Sequence, residues 1–139
     1  MEAFIRRPTK STPYVHLDTR EGTYLLAGRS IPIDAEQFFG PILDWVDGLS
    51  ASEVSVVDFR FRFDFFNIAS SKRILFILYK LADLQEKGVK VNIHWMYERF
   101  DEDMLEIGQD YNVMIDSLIF TFEEYDLVER QEQAFAKLG

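Results

Sequence analysis

The stretch Val54 to Phe66 constrains the fold more than any other part of the chain. Phe59, Phe61, Phe63 and Phe65 alternate there with Asp58, Arg60, Arg62 and Asp64. Side chains of a strand point to opposite faces in turn, so this spacing predicts a strand with four rings on one face and four charges on the other. Thirteen of the 139 residues are Phe and 47% are hydrophobic. Rings in that number need a sheet or several helices to close over them, and a chain of this length can bury such a core.

The flanking segments extend the pattern. Tyr14–Asp18 and Thr23–Ala27 read as two short strands joined at Glu21-Gly22. Asp34 is placed to cap a helix carrying Phe38, Ile42, Trp45, Val46 and Leu49, with Pro41 as a point where it can kink. After Asn67-Ile68-Ala69-Ser70-Ser71-Lys72, a helix from about Ser70 to Lys87 carries Ile74, Leu75, Leu78, Leu81 and Leu84, and Gly88 ends it. Val89 to Met96 alternates again. Asp101 caps a helix with Met104, Leu105 and Ile107, and Leu118, Phe120 and Phe122 mark a last strand. The first residues, 1–10, read as a flexible tail and 126–139 as a C-terminal helix, all in a single domain spanning 1–139.

The order β-β-α-β-α-β-α-β-α makes this an α/β fold. The expected architecture is a mixed, mostly parallel sheet of about five strands with helices mainly on one face. The other face, with Arg60, Arg62, Lys90, Asn92 and His94, stays polar and exposed.

Composition narrows the function classes. Twenty-four acidic residues against fifteen basic ones give a formal charge of −9, which disfavours nucleic acid and anionic lipid. With no Cys, disulfides and thiolate metal sites are excluded. The N-terminus lacks a signal-peptide pattern, and no apolar run reaches the length of a membrane span, so a cytoplasmic protein without membrane insertion is expected. Neither a Gly-rich phosphate loop nor a Gly-x-Ser-x-Gly elbow is present. His16 and His94 fall on different strands and read as polar strand positions, so no metal and no cofactor are expected. Asp101, Glu102 and Asp103 fit a helix N-terminus better than a calcium loop. No catalytic residue set emerges, and the chain is expected not to be an enzyme.

The junction Asn67–Lys72 stands out. Ser70 and Ser71 sit where a helix begins, and either hydroxyl can cap it. The alternative role is phosphorylation, because a phosphate at a helix N-terminus meets free N–H groups and the helix dipole.

Several blocks together resemble the SiaC family of small bacterial regulatory phosphoproteins, with a wider likeness to STAS domains of the anti-sigma-factor-antagonist type. They are Ser11-Thr12-Pro13; Gly28-Arg29-Ser30-Ile31-Pro32; Phe38-Phe39-Gly40-Pro41-Ile42-Leu43-Asp44-Trp45; Phe66-Asn67 with Ser70-Ser71-Lys72; and Trp95-Met96-Tyr97-Glu98 followed by Asp101-Glu102-Asp103. The resemblance spans about residues 11 to 125. It implies a partner switch: a protein-binding regulator phosphorylated by a cognate kinase and dephosphorylated by a PP2C-type phosphatase. Its unmodified form engages a target, in the type member a diguanylate cyclase, and so affects cyclic-di-GMP signalling and biofilm formation. The family's acceptor Thr directly follows the Asn, where this chain has Ile68, and the Glu that commonly follows the loop Pro is replaced by Ile33. The candidate phosphorylation sites here are therefore Ser70 and Ser71. The expected partner surface is Asn67, Ile68, Ala69, Ser70, Ser71, Lys72 and Arg73. On this reading Ser70→Asp keeps the fold and weakens binding. Two alternatives stand beside it: an unregulated binding scaffold, which Ile68 favours, and a small-ligand carrier using the polar sheet face.

Overall fold

The structure is a computed structural model and describes residues 1–126. Nine elements follow one another: β1 (Phe4–Arg6), β2 (Tyr14–Asp18), β3 (Thr23–Ser30), α1 (Ala35–Asp47), β4 (Val56–Phe66), α2 (Ile68–Glu86), β5 (Lys90–Glu98), α3 (Glu102–Met114) and β6 (Ile119–Tyr125). The six strands form one sheet in sequence order. β1, β2 and β3 pair antiparallel; β3, β4, β5 and β6 pair parallel. The sheet is thus mixed and mostly parallel, as expected, with six strands where about five were predicted. The extra strand corrects the reading of residues 1–10 as a flexible tail. Phe4 pairs with Leu17 and Arg6 with Val15, while Phe4 packs on the core and Glu2 accepts the Trp45 indole N–H through its carbonyl. The predicted C-terminal helix over 126–139 falls almost wholly outside the described residues.

Val15, Leu17, Tyr24, Leu26, Val57, Phe59, Phe61, Phe63, Val91, Ile93 and Trp95 share one core with the buried residues of all three helices. Burial of these side chains, at roughly 25 cal/mol per Å² of apolar surface, is the main force closing the fold. The rings stack along β4, Phe59 to Phe61 at 4.8 Å between centroids, and Phe61 lies 5.6 Å from Trp95 on β5.

The fourth ring of the row does not join them. The β3–β4 register runs from Gly28↔Phe63 directly to Arg29↔Phe65, so Asp64 is an extra residue in β4. One inserted residue reverses the facing of everything after it. Phe65 therefore turns out to 49% exposure, against the expectation that it packs under the helices, and Phe66 turns inward instead. On the opposite face Arg60 is exposed as expected. Arg62 is half-buried, its guanidinium 5.9 Å from the Tyr125 ring.

The helix starts follow local chemistry. Asp34 and Asp101 cap α1 and α3, their carboxylates accepting the N–H of Gln37 and of Met104, each at 3.0 Å. α1 continues through Pro41. α2 begins earlier than its two Ser suggest: Asn67 is the cap, and its side-chain oxygen accepts the Ser70 N–H at 2.9 Å. Asn is as good a cap as Ser, and the cap position was open to it once β4 ended at Phe66.

α3 is held close to the sheet through Trp95, whose indole N–H donates to the Met104 carbonyl at 2.9 Å. Gly108 allows that approach, because a Cβ there would overlap the Trp95 ring. Gly108→Ala should lower the unfolding free energy by about 1–3 kcal/mol, the cost of overpacking, although Ala is the better helix former. Urea denaturation would measure it; a stabilised variant would show that α3 shifts freely on the sheet.

Candidate partner-binding site

The junction between β4 and α2 lies at the carboxyl end of a central strand, where α/β sheets place their sites. β4 pairs there with β3 through Ser30↔Phe66. The Ser30 carbonyl accepts the Asn67 N–H at 3.1 Å and the Ser70 hydroxyl at 3.1 Å, and the two Ser hydroxyls lie 2.9 Å apart. Ser30 and Ser70 are both fully buried. The start of α2 is therefore fastened to the end of β3 by a small, satisfied polar cluster.

This geometry divides the seven predicted residues. Ile68, Ala69 and Lys72 are exposed, Asn67, Ser71 and Arg73 half-buried, and Ser70 is inside. Ser70 is corrected as a phosphorylation and contact candidate. Because Asn67 is the cap, Ser70 falls three residues into the turn and faces the sheet, where a kinase cannot reach its hydroxyl. Ser71 is accessible in part; its hydroxyl donates to the Ile68 carbonyl at 2.7 Å. The cations of Lys72 and Arg73 lie 5.8 and 5.6 Å from the Phe76 ring.

A groove of about 320 Å³ opens beside this turn, lined by Phe66, Asn67, Ile68 and Ser71 on one side and Ile107, Asp110, Tyr111 and Met114 of α3 on the other. Tyr111 ties the two sides together, its phenol donating to the Ser71 carbonyl at 2.8 Å. Burial pushes the pKa of Tyr111 well above the usual phenol range, so it stays a neutral donor. Sequence reasoning missed the α3 wall. The signal was the spacing of Met104, Ile107, Tyr111 and Met114, a stripe at helical spacing.

The open sheet face holds the two His residues as polar strand positions. His94 lies between carboxylates on both neighbouring strands, Nε2 3.1 Å from Asp58 and Nδ1 2.9 Å from Glu123. The His94 hydrogen bond is the main cause that lowers the Asp58 pKa, with Asn92 adding to it. His16 lies 2.9 Å from the Tyr14 hydroxyl and 3.0 Å from Glu21. With Asp18 these residues bring three ligand-type atoms within 4.8 Å of one another. The group is engaged internally: Asp18 also accepts the Arg20 N–H at 2.9 Å. No helix among the described residues is long and apolar enough to cross a membrane.

A family model described as "SiaC family regulatory phosphoprotein" matches residues 6–125, nearly the whole described chain. The chain belongs to this family. SiaC of Pseudomonas aeruginosa has the same fold, with a TM-score of 0.74 and 25% identity over 91% of this chain and 99% of that one. A chain in the crystal structure of the diguanylate cyclase SiaD in complex with its activator SiaC, from the same organism, aligns with a TM-score of 0.80 and 26% identity, covering 88% of this chain and 99% of that one. An uncharacterized protein of P. aeruginosa strain UCBPP-PA14 is 28% identical over 103 residues, 74% of this chain and 82% of its own length. The α/β architecture expected from the sequence is thus that of SiaC structures, with the β4–α2 junction on a SiaC-family scaffold.

Proposed function

We propose that this chain is a cytoplasmic, non-enzymatic regulator that binds and modulates a diguanylate cyclase, docking it at the start of α2. The reading rests chiefly on Ile68. It is a large apolar side chain, 88% exposed, on a turn held in place by the Asn67 cap and the Ser30–Ser70 cluster. Exposed apolar groups on a rigid support are the usual anchors of protein interfaces. The relative named as the activator of SiaD supports the choice of partner. Asn67, Ala69, Ser71, Lys72 and Arg73 complete the surface, and Ser70 supports it from beneath.

A cognate kinase and a PP2C-type phosphatase act on Ser71, the hydroxyl of this turn that remains within reach. A phosphate there adds about two negative charges at the rim of the groove, facing Asp110, and so opposes docking. One observation favours a second, unregulated mode: the outward position at the head of α2 is Ile68, which has no hydroxyl to modify.

The test is calorimetric titration against the diguanylate cyclases of the source organism and against SiaD, with cyclic-di-GMP production followed in parallel. The wild-type chain should bind one of these cyclases and change its rate, and Ile68→Asp should weaken binding more than about tenfold, or 1.4 kcal/mol. Absence of binding to every cyclase would overturn the proposal. Intact mass of the chain from its native host separates the two modes: a phosphate on Ser71 supports control, and an unmodified chain under all growth conditions supports constitutive binding.

A further inference from the structure

Three neighbouring parallel strands each end within three residues of a large exposed apolar side chain. Ile33 follows β3 and is fully exposed; Ile68 follows β4; Phe100 follows β5 and is 84% exposed. Their strands are adjacent in the sheet, so with a spacing of about 4.8 Å per strand the outer two strands of the three are only about 10 Å apart.

Phe100 carries the second observation. Its φ is +70°, the one positive φ outside Gly among the described residues. It is the third residue of a tight turn closed by the Asp101 N–H donating to the Glu98 carbonyl at 2.9 Å. Gly or Asn normally takes such a position, and a bulky aromatic there is strained. Nothing in the core rewards the strain, since the ring lies in solvent, with the Arg99 guanidinium 4.8 Å from its centre. The turn itself is well anchored, because the Arg99 N–H donates to the Tyr125 carbonyl at 2.7 Å. Strain held by the surrounding structure at an exposed position points to function.

Ile33 is anchored in a comparable way. Ile31 donates its N–H to the Ser11 carbonyl at 2.7 Å, Asp34 caps α1, and Ser30 is locked to Ser70. All three side chains are thus displayed outward on fixed backbone, so little conformational entropy is lost when they are covered.

We propose that Ile33, Ile68 and Phe100 form one apolar docking edge along the ends of β3, β4 and β5, which the diguanylate cyclase covers with an apolar surface of its own. The proposal rests on the reading of Ile68 above and extends it to two further loops. It assigns Phe100 as an interface anchor whose backbone strain is tolerated for binding. The edge shares Ile68 with the α2 docking turn, and it ends at the tight turn before α3.

The test compares Ile33→Asp, Phe100→Gly and, as a control at the opposite end of β4, Val56→Asp. Each is titrated against the cyclase that the wild-type chain binds, with melting temperature and sedimentation recorded for each. Phe100→Gly relieves the strained φ, so it should melt at the same or a higher temperature while binding at least tenfold more weakly. A merely structural Phe100 would instead lower the melting temperature. Ile33→Asp should lose at least tenfold in affinity with an unchanged melting temperature, and Val56→Asp should bind like wild type. If the wild-type chain binds the cyclase and both loop variants bind equally well, the edge is overturned while the α2 docking site survives. If the variants change self-association and leave cyclase affinity untouched, the edge joins copies of this chain and the proposal is likewise overturned. A wild-type chain that binds no cyclase fails the underlying reading itself.

Discussion

Phe61→Ala should lower the unfolding free energy by about 3–5 kcal/mol, and Phe65→Ala by under about 1 kcal/mol. The two residues stand four apart in one alternating row and are equivalent in the sequence. In the fold Phe61 is fully buried, stacked on Phe59 and beside Trp95. Its removal leaves a hole that neighbouring rings cannot close, and the loss of contacts adds to the loss of burial. Phe65 lies beyond the bulge, half exposed, with the Arg29 guanidinium 5.4 Å from its ring. Parallel urea titrations of both variants decide the matter. Equal losses would mean that the row continues inward and that Asp64 is not inserted.

The second large effect is expected at Ser70. Ser70→Asp should destabilise the protein by about 3–5 kcal/mol, the range for a buried charge left without a partner. Ser71→Asp, one residue on, should cost under about 1 kcal/mol, as surface substitutions do. This reverses the sequence-based expectation that a carboxylate at Ser70 acts as a benign phosphate mimic at a helix cap. The cap is already made by Asn67, and Ser70 faces the Ser30 hydroxyl and carbonyl with no access to water. An Asp there would bring its charge against the carbonyl oxygen of Ser30, which has no proton to offer. Thermal melts of the two variants measure the difference, and a Ser70→Asp protein as stable as wild type would show that this junction opens to solvent. The pair also guards the binding experiments: a loss of partner binding in Ser70→Asp reports unfolding of the turn, whereas the same loss in Ser71→Asp reports the interface.

Much of this protein is legible in local sequence. Periodicity identified β4, α2 and β5, because an alternation of two and a spacing of three to four lead to different buried faces. Asp34 and Asp101 were readable as caps because a cap acts within three residues of itself. The same reasoning missed β1. Three residues carry no period, and Phe4–Arg6 is a strand only because β2 offers it an edge. It also placed the start of α2 too late, since Asn67, Ser70 and Ser71 are all competent caps, and the choice among them depends on where β4 ends.

What the sequence by itself determined is the order of the elements from β2 to β6 and the apolar face of most of them, since these follow from spacing and side-chain chemistry along the chain. What only the tertiary structure decided is which residues of the candidate site face outward. The bulge at Asp64 arises from the register with β3, the burial of Ser70 from its contact with Ser30 forty residues away, and the groove wall from α3 packing on Trp95. Each of these depends on contacts between segments far apart in sequence. A one-residue change of register or cap reverses a side chain's facing at little local cost, so only the packing of the whole sheet selects between the alternatives.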